Sequence, residues 1–140
     1  MHTEHLQNVR PSWVFFGWFV SVAVVSLIVL ALLALRILST DATAGEAAWG
    51  VLAIAAGFLA GGWLTGARVG AAPILHGIAM GLVSLLIWFM ANLLFGEALG
   101  QTTWDGNPAY YAGMLLLQMA AAGVGAWVGS REGRARMAGV

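Results

Sequence analysis

Few side chains in this sequence could do chemistry, and they are scattered. An ionisable group inside an apolar span is costly and marks a candidate site. His76 comes nearest, in the stretch Gly57–Phe89, GFLAGGWLTGARVGAAPILHGIAMGLVSLLIWF. Its imidazole could be an axial ligand to a tetrapyrrole, or titrate as a pH switch. Its ordinary use is to meet headgroups or the open backbone of the turn before it. With no second His at i+4 it makes a poor protein metal site, and His2 and His5 lie in the polar N-terminus, so no metal is expected. Cys is absent, which excludes disulfides, thiolate metal sites and a Cys nucleophile. Glu97 and Asp105 are near each other in sequence but have no His or Arg beside them. No catalytic residue is therefore expected, and no enzyme. Gln118, Asn92 and Ser84 could line a narrow solute path, although an interhelical hydrogen bond worth ~1 kcal/mol is the commoner use of such groups.

The elements that must position these residues follow from composition. The chain has 140 residues, 61% hydrophobic and 9% charged, against roughly 25% charged in soluble domains. A soluble protein this short could not bury so much apolar surface, so lipid must be the solvent for most of it. Net charge is zero, which gives nucleic acid no purchase as a partner. A membrane helix needs about 20 apolar residues, and four runs qualify, at about 13–38, 47–67, 74–96 and 108–130. The polar start MHTEHLQNVRPS lacks the basic region of a signal peptide, so the first run reads as a retained helix. The links are short, and residues 1–140 read as a single membrane domain. The expected fold is all-α, four transmembrane helices in an up-down bundle.

Charge orients the bundle. Arg10, Arg68, Arg131, Arg134 and Arg136 fall on one side, while Arg36 stands on the other with Asp41, Glu46, Glu97 and Asp105. By the positive-inside rule both termini are cytoplasmic. Trp13, Trp18, Trp63 and Trp127 then sit at the cytoplasmic interface, Trp49 and Trp104 at the outer one, and Trp88 within a span as a packing residue. The longest loop, from Gly96 to Tyr111, carries Trp104, Tyr110 and Tyr111 and suits either partner binding or lying on the bilayer.

Glycine spacing predicts the contacts. Membrane helices associate by close backbone approach at small residues. On the second helix Gly57 and Gly61 share one face with Gly50, and Gly62 and Gly66 lie nearly opposite, so that helix should have two close neighbours. Gly77, Gly81 and Ser84 share a face of the third, and Gln118, Ala121, Gly125 and Gly129 a face of the fourth. Helices two, three and four are expected to meet along these seams, with Gln118 as a packing group. At an offset of 63 residues Gly62, Gly66 and Arg68 match Gly125, Gly129 and Arg131, a hint of two related hairpins.

The run from Gly61 to Phe89 also resembles the central segment of the YrzE-like group, small uncharacterised four-helix bacterial membrane proteins. The resemblance rests on Gly61, Gly62, Gly66, Arg68, Gly70, His76, Gly77 and Gly81. It covers about a quarter of the chain, and Ala71, Ala72 and Pro73 stand where that group tends to carry Lys. It implies a four-helix fold in the bacterial inner membrane and no known activity.

The expected role is a non-enzymatic integral membrane protein, an accessory or structural subunit that packs within a larger complex or against copies of itself. The alternative is a small oligomeric channel or transporter. The expected partners are the lipid bilayer and other membrane subunits or the chain itself, with no cofactor beyond the tetrapyrrole option at His76.

Overall fold

A computed structural model describes residues 5–38, 44–96 and 108–139. Among them are four α-helices, each long and apolar enough to cross a membrane: α1 (Pro11–Ala34), α2 (Ala44–Arg68), α3 (Pro73–Phe95) and α4 (Pro108–Ala138). The protein is an all-α, multi-pass membrane protein. In hydrocarbon every backbone N–H and C=O must be satisfied within its own segment. That is why α1, whose run SVAVVSLIVL is rich in strand-favouring residues, is helical. Proline opens α1, α3 and α4, at the position where its missing N–H costs nothing.

Two ends differ from the sequence expectation. α1 stops at Ala34 and not near Leu38, because Arg36 adopts a left-handed conformation, φ 56°. The Arg36 N–H then bonds the Leu33 carbonyl at 3.0 Å and the Ile37 N–H bonds that of Leu32 at 2.9 Å. This is the Schellman closure that glycine usually makes, here with Arg at the left-handed position. α4 runs on to Ala138, past the expected end at 130. Its extension is held at Gly133, which lies against the Ala67 backbone, and by Glu132, which accepts a 3.0 Å bond from Trp63 Nε1.

α2 and α4 form the centre. Each buries 28% of its span, against 11% for α1 and α3, so the outer pair presents most of the lipid-facing surface. A side chain at Gly62 or Gly66 would strike the Ala122 and Ala126 backbone of α4, and one at Gly125 or Gly129 would strike the Leu59 and Trp63 backbone of α2. No side chain fits between these backbones. Residue numbers rise together along this seam, so α2 and α4 run in the same direction. Its contacts also repeat at the expected offset: Gly62 meets Ala122 while Gly125 meets Leu59, and each of these residues has its counterpart 63 positions away. The correspondence stops at this seam. Between α1 and α2 the glycines of α2 press on α1, whereas between α3 and α4 Gly77 and Gly81 of α3 press on α4.

The other close pairs run in opposed order. Gly57 meets Ser21 and Val25 of α1, and Gly61 meets Gly17 and Ser21. Gly77 meets Ala122 and Gly123 of α4, and Gly81 meets Met119. The expected meeting of helices two, three and four holds for α2 with α4 and for α3 with α4, and is weak only between α2 and α3. α1 takes the Gly57 and Gly61 face of α2. Gly17 and Ser21, one turn apart, give α1 a trough of its own that admits the α2 backbone. Val14, Phe58, Met80 and Ala122, one from each helix, fill the buried centre.

Candidate functional site

His76 is fully buried in the first turn of α3. Ala72, just before that helix, is itself left-handed (φ 51°), and its carbonyl accepts both the His76 backbone N–H at 3.1 Å and a bond from Nδ1 at 2.7 Å. Nε2 lies 3.0 Å from the backbone N–H of Arg10, the residue that caps α1. A peptide N–H can only donate, so Nε2 must accept and Nδ1 must carry the proton. The imidazole therefore bridges the start of α1 to the turn between α2 and α3. Each ring nitrogen is engaged, and no lone pair is left for the iron or magnesium of a tetrapyrrole. The link to the turn backbone was anticipated by the sequence; the Arg10 partner was not, since nothing local marks a residue 66 positions away.

The other polar groups of the spans are taken up in the same way. Trp18 Nε1 donates to Ser84 Oγ at 2.9 Å, tying α1 to α3. Trp18 is thus half-buried at a contact between helices, and Ser84 serves a neighbouring helix. Ser21 and Thr65 do bond their own helices, at Gly17 and Gly61, and Thr65 Oγ1 also lies 3.4 Å from the Trp13 carbonyl. Asn92 donates to the Trp88 carbonyl of its own helix at 2.8 Å. Trp88 packs against Tyr111, ring centroids 5.5 Å apart.

Gln118 stands on α4 one residue before Met119, which meets Gly81. Its Oε1 is buried and has no hydrogen-bond donor among the described residues. Ser84 and Asn92 are engaged in separate contacts.

Arg10, Arg68 and Arg134 collect at one end, away from Arg36. A cleft of about 550 Å³ lies between the end of α2 and the extension of α4, lined by Arg68, Ser130, Glu132 and Arg134. A smaller one, about 250 Å³, adjoins it through Val69 and Gly70 and includes Arg10. Arg134 donates to Ser130 Oγ at 3.3 Å, and Arg131 stacks on the Trp127 ring at 3.7 Å. Of the aromatic loop, Tyr110 and Tyr111 belong to the first turn of α4. Glu97, Trp104 and Asp105 lie outside the described residues. Among the described residues no group of three or more His, Cys, Asp or Glu side chains could hold a metal ion. No protein family, curated protein or solved structure matches this chain.

Proposed function

We propose that the protein is a non-enzymatic subunit of the bacterial inner membrane, an up-down four-helix bundle with both termini cytoplasmic, which packs within a larger membrane complex or against copies of itself. The observation that carries this reading is how the buried polar groups are used. His76, Ser84 and Thr65 all bond backbone or side chains of neighbouring helices or turns, and Ser21 its own helix. Chemistry inside a membrane needs polar groups held open toward a substrate, and here His76, Ser84 and Thr65 hold helices and turns together, while among the described residues Gln118 keeps a buried oxygen without a donor. The resemblance of Gly61–Phe89 to the YrzE-like group belongs to the same reading, as does the inward orientation, supported by the gathering of Arg10, Arg68 and Arg134 at one end. The alternative, a solute path, has no support in the separate engagements of Ser84 and Asn92.

A photo-crosslinking residue at Leu27 of α1 or Leu86 of α3, both exposed to lipid, tests the assembly. The expected product in native membranes is a discrete protein adduct from at least one face. Lipid adducts alone from both faces would overturn it. Because the chain has no Cys, single-cysteine variants at Arg68 and Gly139 report sidedness, both being labelled from the cytoplasm.

A further inference from the structure

We infer that the outer surface between α3 and α4 is a binding site for one anionic phospholipid of the leaflet on the arginine-rich side. A groove of about 600 Å³ runs there, almost wholly apolar, lined by Ile74 and Ile78 of α3 and by Leu116, Val124 and Trp127 of α4. Its floor is at Gly123. Most glycines along the helix contacts are pressed against a neighbouring backbone, but a side chain at Gly123 would meet only Ile74 Cγ2, at 3.9 Å. The missing side chain therefore opens the groove and is not needed for helix contact on that side.

Length and charge select the occupant. From Leu116 to Trp127 the groove spans about 16 Å at ~1.5 Å per residue, close to half of the ~30 Å hydrocarbon core. That is the reach of one acyl chain. A partner helix would call for a seam across both leaflets. At the end where the headgroup would lie, Trp127 forms the groove wall and carries the Arg131 guanidinium on its ring at 3.7 Å. Arg131 is one turn further along α4, about 6 Å beyond Trp127, at headgroup depth. The stacked guanidinium keeps its N–H donors free for a phosphodiester, and its charge favours a headgroup with net negative charge.

The test is native mass spectrometry of the full chain in mild detergent, titrated with phosphatidylglycerol or phosphatidylcholine of identical chains. One tightly held lipid is expected, with phosphatidylglycerol preferred about fivefold, the worth of one surface cation. Arg131→Gln should abolish the preference while the lipid still binds. Gly123→Leu should fill the groove and lose both lipids, whereas Gly113→Leu, at a glycine with no atom within 4 Å of an added Cβ, should lose neither. Should Gly123→Leu fail to fold, Ala120→Phe fills the same groove from an exposed position. Equal retention of both lipids by the unaltered chain would overturn the inference. So would a groove-filling variant that keeps its lipid but loses a second protein chain, which would assign the groove to a helix.

Discussion

Replacing Gly66 by alanine puts one methyl group where the α2 and α4 backbones meet. The added Cβ would stand 2.6 Å from both the carbonyl carbon and the Cα of Ala126, and closer still to its oxygen. Ordinary contact begins near 3.4 Å, so the helices must separate by at least about 0.8 Å, and by more to clear the oxygen. A gap of that size forfeits roughly a quarter to a half of each dispersion contact beside it, and backbone cannot swing aside as a side chain can. The expected cost is about 2 kcal/mol, roughly thirtyfold in the folding equilibrium, within the range for overpacked cores. Gly50→Ala is the control, since nothing lies within 4 Å of its added Cβ; it reports the bare Gly-to-Ala effect on a helix. The assay is reversible unfolding in mixed micelles, followed by tryptophan fluorescence, with Trp63 lying on the seam. Gly129→Ala, which meets the Trp63 backbone in the corresponding way, should cost about as much. If Gly66→Ala is no less stable than Gly50→Ala, the close parallel seam is not what holds the centre together.

Further expectations follow from single groups. His76→Ala leaves the Arg10 N–H without its acceptor and opens a cavity, and should lower stability by about 1–3 kcal/mol, with protection of the Arg10 amide from hydrogen exchange lost first. In a double-mutant cycle, Trp18→Phe and Ser84→Ala should be coupled by about 0.6–1.7 kcal/mol, the range for hydrogen bonds between membrane helices; additive effects would mean the bond contributes nothing. Gln118→Leu removes a buried oxygen that has no donor among the described residues, and should be neutral or stabilising by about 1–3 kcal/mol in the same unfolding assay.

Helix number and approximate spans were legible because uncharged length is imposed by bilayer thickness and read directly along the chain. Ends decided by local geometry were not. The left-handed Arg36 that stops α1 carries no sequence mark, since glycine is the usual signal, and α4 continues past Arg131 because contacts with α2 support it outside the apolar run. The two glycine faces of α2 were visible in the spacing of Gly57, Gly61, Gly62 and Gly66. The partner of the first face was not, because Gly17 and Ser21 form a two-residue trough amid bulky Phe and Val. The same limit applies to His76. Its place at a turn could be read, but its bond to Arg10 exists only once α1 and α3 lie side by side.

Whether the protein is a subunit of an assembly is decided by the mass and composition of the particle extracted from native membrane in mild detergent. The expected result is a discrete assembly, in which this chain co-purifies with other membrane subunits or with copies of itself in fixed ratio. A lone monomer, recovered in full from the native membrane, would contradict it.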